Sequence, residues 1–247
     1  MQEKSSAEPV EYPNLDNKQK SFKNFKGIQK LLMLMGNVVP LLHILSTAAL
    51  MFYMHRLGLT ATILGVGLLY YCAPPVLARI TLTLFPIRMT RITPDSREFF
   101  TWWFLINLQG SFNRFPATEE WLRIFPGIYS AWLRLWGSRI GSTVFWSPGT
   151  KVLDRSFLDI GDRVIFGAGV RLNPHVLDNI TGELQLILAT IKIGDFALVG
   201  GYSLITAGTE IMPGEVTKAT LLSPPFSIWK NGRRMNQREV RQSVEAQ

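Results

Sequence analysis

At 247 residues and 47% hydrophobic content, the chain has room for one domain of ordinary size plus a second element. Its net charge of +8 is uneven, with 15 Lys or Arg against 8 Asp or Glu in residues 1–139 and 11 against 10 in residues 140–247. The excess therefore lies beside the apolar segments, which fits an anionic membrane surface better than a nucleic-acid groove on the folded domain, while the single cysteine, Cys72, excludes a disulfide framework and any paired-cysteine metal or redox motif.

Residues 1–30 are polar, carry six Lys and four acids, and read as a cytosolic tail that can end in an interfacial helix over 22–30. The apolar run that follows starts too late and is too long for a signal peptide. Leu31 to Met54 and Leu57 to Ala78 contain no Lys, Arg, Asp or Glu, and each is long enough to cross a hydrocarbon layer about 30 Å thick as a helix. The short connection through His55 and Arg56 makes them a hairpin, so residues 31–92 are expected to be a transmembrane helical hairpin. Lysines before it and Arg79, Arg88 and Arg91 after it place both ends, and the rest of the chain, in the cytoplasm. A re-entrant hairpin shares those termini, and a pair of buried core helices is the soluble alternative. Pro40, Pro74 and Pro75 free backbone carbonyls that neighbouring helices must re-satisfy.

Residues 93–139 concentrate aromatics, among them Phe99, Phe100, Trp102, Trp103, Phe104, Trp121, Phe125, Trp132 and Trp136, with Arg97, Arg114, Arg123 and Arg134 interspersed. Aromatics beside arginines belong at the headgroup level, and the same residues suit a collar packed between hairpin and C-terminal domain.

From Ile140 a six-residue rhythm sets in, with apolar first positions at Ile140, Trp146 and Val152, then, after a two-residue slip, Ile160, Phe166 and Leu172, and later Ile193, Val199, Ile205 and Ile211. Gly often stands second and a small or β-branched residue fifth, the pattern of short strands and tight corners stacked coil on coil as a hexapeptide β-helix over residues 140–230. Asp178 to Lys192 interrupt the rhythm as an excursion. Residues 231–247 are read as a C-terminal tail. Walker and dinucleotide fingerprints are absent from the Gly-rich hexads, and one His with no Cys makes a metal site implausible.

Residues 137–230 resemble the left-handed β-helix acyltransferases, the hexapeptide transferase family, and the Tyr129 to Gly141 run is similar to the helix-to-first-coil junction of a membrane-linked subset. The resemblance implies a left-handed helix with three hexads per coil, and a homotrimer with active sites between subunits. It also implies a catalytic histidine beside the excursion, for which His175 is the sole candidate, acting as general base on an acceptor hydroxyl or amine. Asp178, three residues on, or Asn173 is expected to orient the ring. Backbone N–H groups at Gly200, Gly201 or Gly167 are candidate oxyanion donors. The implied donor is acetyl coenzyme A or another acyl-CoA, with an acyl carrier protein as alternative. Small residues at Gly200, Gly201, Ala207 and Gly208 would leave room for the pantetheine arm, and Lys230, Arg233 and Arg234 would meet its phosphates. Tethering at the bilayer points to a membrane-associated acceptor such as a lipid-linked sugar or envelope precursor. A non-catalytic trimeric assembly platform is the competing expectation.

Overall fold

The computed structural model describes residues 27–88, 90–178 and 185–235; the expected tail over 1–26 and most of 231–247 lie outside them. The helical half runs through α1 (Gly27–Met54), α2 (Leu59–Gly67), a π-helical turn (Leu68–Cys72), α3 (Ala73–Leu84), the short strand β1 (Arg91–Ile92), α4 (Arg97–Leu108), α5 (Gly110–Arg114), α6 (Ala117–Ile124) and α7 (Ile128–Leu135). Two helical stretches, Gly27–Leu57 and Leu59–Leu84, are long and apolar enough to cross a membrane, and most of their surface is exposed.

The hairpin is seated on the later helices by small residues that let backbones approach. A Cβ on Gly36 would stand 2.8 Å from the Trp103 ring, and one on Gly110 would stand 2.5 Å from Pro40. Pro75 lacks the N–H that would bond the carbonyl four residues earlier, on Tyr71. That carbonyl instead accepts from Trp132 Nε1 at 2.8 Å, so the π turn is a site where α7 grips the hairpin. Ser96 caps α4, its hydroxyl accepting from the Phe99 N–H at 3.2 Å, and the buried face of α4 presents Phe99, Trp102, Leu105 and Leu108.

From Arg139 the chain winds as a three-sided parallel β-helix. One face stacks β2 (Arg139–Ile140), β5 (Leu158–Ile160), β10 (Ile191–Ile193), β13 (Glu210–Ile211) and β15 (Ile228–Lys230). The second face stacks β3 (Phe145–Trp146), β6 (Ile165–Phe166) and β11 (Leu198–Val199). The third stacks β4 (Lys151–Val152), β7 (Arg171–Asn173), β12 (Leu204–Thr206) and β14 (Leu222–Ser223). Equivalent hexad positions align, Ile140 with Ile160 and Ile160 with Ile193, and every apolar first position from Ile140 to Ile211 is buried in the interior. A Cβ on Gly141 would meet the Gly161 carbonyl at 2.4 Å, which explains glycine second in a hexad whose neighbour coil passes that close. At the corners Thr143, Arg163 and Phe196 hold φ of 55, 55 and 60°, left-handed conformations that the stacked coils impose on non-glycine residues.

Two features of the ladder escape the apolar rhythm. First, it continues past Val216, with Thr217, Ser223 and Trp229 at the next first positions. These hexads hide in the sequence because hydroxyls fill the interior. Thr217 Oγ1 accepts from the Gly200 N–H at 3.0 Å, and Ser223 Oγ bonds Thr209 Oγ1 at 2.9 Å and Trp229 Nε1 at 2.8 Å. Second, the chain on either side of residues 179–184 is paired as strands. It forms an antiparallel hairpin of β8 (His175–Asp178) and β9 (Gln185–Leu188), whose outer strand takes β1 alongside, with Ile92 opposite Leu186. Ile92, Phe99, Trp102, Leu186 and Leu188 make a second small core there.

Residues 93–139 are accordingly more than an interfacial linker. Phe112, Tyr129, Trp132, Leu133 and Trp136 belong to the same core cluster as the coil interior, while Phe115, Trp121, Ile124 and Phe125 remain exposed. The aromatics divide into a collar that is packed and a rim that is not.

Replacing Ser223 by Val strands the part-buried Trp229 N–H and the buried Thr209 hydroxyl. It should lower unfolding free energy by about 1–3 kcal/mol, measured by denaturant melts with Ser223→Thr as the milder control.

Candidate active site

The two-residue slip in the hexad rhythm is where the site is built. After Val152 the chain turns at Asp154 with φ of 48°, closed by the Phe157 N–H on the Asp154 carbonyl at 3.0 Å. The extra residues let Asp154 and Arg155 leave the coil surface and face the helical half, where each is only 1% exposed. Charged groups this deep are held only when paired.

Asp154 meets His175. One carboxylate oxygen makes a short hydrogen bond with the Nδ1 atom of His175, and the other accepts from Trp102 Nε1 at 2.8 Å. The Trp102 ring stands edge-to-face against the imidazole, centroids 5.0 Å apart at 66°. The His175 side chain is 19% exposed. Burial alone lowers its pKa, but the adjacent Asp154 charge and the hydrogen bond outweigh burial and bring it above its ordinary value of 6.5.

Arg155 anchors the other half of the turn. Its backbone N–H and Nη1 both donate to Gln109 Oε1, at 2.8 and 2.9 Å, and Nη2 donates to Asn113 Oδ1 at 2.9 Å and pairs closely with Glu119. The guanidinium lies 5.6 Å from the Trp132 ring and 5.7 Å from that of Phe112. Glu119 also accepts from the Tyr129 hydroxyl at 2.7 Å, and burial together with the Glu119 charge raises the Tyr129 pKa far above the usual phenol range, so Tyr129 remains a donor. A cavity of ≈ 50 Å³ lined by Asn113, Glu119, Arg123 and Arg155 opens on this side of the turn.

The residues singled out from sequence separate into groups. His175 stands at the start of the excursion, and its ring is oriented by Asp154 in place of Asp178 or Asn173. Asp178, at the end of β8, forms an ion pair with Arg91 of β1 at 3.6 Å, which engages its carboxylate with β1 and not with the His175 ring. Asn173 ends β7, in register with Thr206. Asp154 and Trp102 were missed. The signal for Asp154 is its place just ahead of the two-residue slip, where an otherwise regular hexad series carries two adjacent charges. Nothing in the sequence ties Trp102 to His175, because their partnership crosses 73 positions between halves.

Gly200, Gly201, Ala207 and Gly208 are small for a different reason from the one expected. A Cβ on Gly200 would stand 2.4 Å from the Ala219 nitrogen and the Lys218 carbonyl, one on Gly201 3.1 Å from the Ala168 oxygen, and one on Gly208, at φ of 69°, 2.5 Å from the Phe226 ring. Ala207 is wholly buried in the coil. A side chain at any of the three glycines would meet the neighbouring coil or its side chains. Lys230, Arg233 and Arg234 lie where the expected tail begins, but as a hairpin: β15 turns through Asn231 and Gly232, with φ of 54 and 71°, into β16 (Arg233–Arg234). Lys230 pairs opposite Arg233, so these two share a face around a shallow depression with Asn231 and Met235, while Arg234 sits opposite Trp229.

Fold and site together define a parallel β-helix carrying a buried carboxylate–histidine pair clamped by its helical half. Neither the protein-family models nor the curated proteins contain a match. Among solved structures the neighbours are hexapeptide-repeat acetyltransferases. One from Vibrio cholerae, solved with acetyl coenzyme A, is 23% identical, with 40% of this chain and 60% of that chain covered and a TM-score of 0.32. A maltose O-acetyltransferase from Clostridium difficile is 16% identical over 50% of this chain and 84% of that one, TM-score 0.33. A galactoside acetyltransferase in complex with coenzyme A is 14% identical over 51% and 82%, TM-score 0.28. The present chain thus spans under two thirds of the first of these. Similarities this low place no activity on it, and its fold is defined by its own strand ladders.

A folded-state pKa above the unfolded value means that protonated His175 stabilises the fold fully below about pH 6.5, and that this stabilisation is lost as pH rises through the folded pKa. The stability difference between the unmodified chain and His175→Gln should therefore shrink from about pH 6 to 9, followed by urea melts at each pH.

Proposed function

We propose that the protein is a membrane-bound acyltransferase that moves an acyl group, most simply acetyl, from a thioester donor to a hydroxyl or amine of a membrane-associated acceptor. The observation that carries this reading is the Asp154–His175 pair. With Asp154 ionised, Nδ1–H donates to it, which leaves the Nε2 lone pair facing away from the carboxylate as a base. Nε2 takes the acceptor proton as the acceptor oxygen or nitrogen attacks the thioester carbonyl. Collapse of the tetrahedral adduct breaks the C–S bond, and the imidazolium returns that proton to the leaving thiolate. A pKa raised above 6.5 matches a base that must be neutral and still basic near pH 7. No covalent enzyme nucleophile is required.

Donor binding is assigned to Lys230 and Arg233 for the phosphates of coenzyme A. Strand β15 lies three ladder steps from β5, the strand that follows the Asp154 turn, roughly 14 Å at about 4.8 Å per step, which an extended pantetheine arm can bridge. A carrier-protein phosphopantetheine presents the same arm. The trimer is assigned to the second face, where Phe145, Ile165, Leu198 and Val216 stack in register as an outward apolar column, with Phe145 60% and Val216 61% exposed. The membrane assignment is supported by the exposed apolar flank of the hairpin, from Leu31 and Leu42 to Leu64 and Ile80, with the exposed Trp121 and Phe125 as rim. In this reading the coil is left-handed and faces the cytoplasm.

Purified full-length protein in detergent should bind coenzyme A by calorimetry and release free thiol from acetyl coenzyme A when given acceptor-containing membrane extract. His175→Ala should keep binding and lower kcat by about 10²–10⁴-fold, whereas Lys230→Ala with Arg233→Ala should weaken binding. Absence of binding to the unmodified chain would favour a carrier-protein donor or a non-catalytic platform. Separately, Ile165→Lys should convert the assembly to a smaller species by light scattering while leaving circular dichroism unchanged; an unaltered mass would remove the second face as the interface.

A further inference from the structure

The Asp154 turn is packed against α4 along its length. Trp102 donates to the Asp154 carboxylate at 2.8 Å, and Gln109, seven residues later at the C-cap of the same helix, accepts from the Arg155 backbone N–H at 2.8 Å. Trp102 and Gln109 are 4% and 1% exposed. Spacing of seven puts both on one helix face two turns apart, so α4 holds the turn at two points like a bracket. Trp102 does more than fill space, because its N–H goes to the carboxylate oxygen that His175 does not use and its ring fixes the plane against which the imidazole rests. Without the indole N–H, that buried oxygen loses its donor, and among the described residues His175 Nδ1 is left as the hydrogen-bond partner of the carboxylate.

We propose that Trp102 is a positioning residue for the Asp154–His175 pair, so that the helical half, through α4, is a working part of the active site and not merely its anchor. The inference deepens the transferase reading by naming a residue that acts through Asp154. It has a structural corollary: α4 is also the helix on which α1 rests, through Gly36 against Trp103, the residue next to Trp102. The apolar hairpin and the general base are therefore joined by one short helix, and seating the hairpin in its apolar surroundings fixes the geometry of the base. Other charges on the elements packed around His175 include Arg97 and Glu98 at the start of α4, Arg171 on β7, Arg155, committed to Glu119 and Gln109, and Asp178 with Arg91 at the far end of the β8–β9 pair.

The decisive experiment removes the N–H alone. Trp102 is replaced by its isostere benzothienylalanine, in which sulfur stands for the N–H, and by Phe, in the full-length detergent-solubilised chain. His175 is titrated by carbon-detected NMR of its ring, assigned against His175→Gln among the three histidines. Stripped of one donor, the Asp154 carboxylate bears more of its charge toward the imidazole. The His175 midpoint should therefore rise by about half a pH unit or more in the isostere. Asp154→Asn should lower it. With acetyl coenzyme A as probe, the isostere should lose about tenfold in kcat with the donor KM within about twofold, since the donor is bound elsewhere. A His175 titration that the isostere leaves unchanged overturns the positioning role. If the unmodified chain turns over no thioester, the transferase reading fails while the titration still decides the role of Trp102. Should Trp102→Phe fold poorly, the isostere, which keeps ring shape and volume, still gives the answer.

Discussion

Burying two opposite charges in adjacent positions, Asp154 and Arg155, is the constraint on which the rest of the molecule depends. Each ion of this kind costs several kcal/mol to desolvate, and removing a single partner from such a pair typically costs about 3–5 kcal/mol. The chain meets that demand by surrounding the turn with groups from both halves: Trp102 and His175 on Asp154, and Gln109, Asn113, Glu119 and three aromatic rings on Arg155. A β-helix on its own offers nothing to take their place. The Phe157 N–H closes the turn and His175 pairs with Asp154 from within the β-helix half, while the helical half supplies Trp102 to Asp154 and the partners of Arg155.

That dependence explains why the boundary near residue 139 is only a change of secondary structure. The Trp132, Trp136 and Phe112 rings share one core with Ile140, Val152 and Leu158, and β1 extends the β8–β9 hairpin on the opposite flank. The histidine, at the start of β8, is thus held between two contacts made by the helical half. One is the α4 bracket on its carboxylate partner, and the other is the β1 strand on its own hairpin. The arrangement accounts for an imidazole that remains partly open to solvent while its Nδ1 atom is committed.

The coil interior shows a gradient with a physical cause. At the first hexad positions the coils up to Ile211 hold Ile, Val, Leu, Phe and Trp, whereas the last coils admit Thr217 and Ser223. Hydroxyls are tolerated there because each finds a backbone or side-chain partner within the stack, including the Trp229 N–H that closes the end of the ladder. Beyond it the Asn231-Gly232 turn folds β16 back antiparallel, and β16 lies at the end of that sheet, next to β15.

The chain's own order determined the coil register, since an apolar residue every sixth position must point inward whatever surrounds it, and each such residue from Ile140 to Ile211 does. It likewise determined the two long apolar helices and singled out His175, because length, absence of charge and a lone imidazole are properties of residues in sequence. Tertiary structure alone decided which carboxylate serves that histidine. Asp178 is near in sequence, yet strand β8 carries it away from the ring and toward Arg91, while Asp154 arrives from the preceding coil, 21 positions earlier, because stacking places successive coils side by side. Tertiary structure also decided why the glycines at 200, 201 and 208 are small and which aromatics are packed. The hexad rhythm marks where a glycine recurs, but which neighbouring atoms fill the space beside it, and how α4 is seated, are contacts between distant segments.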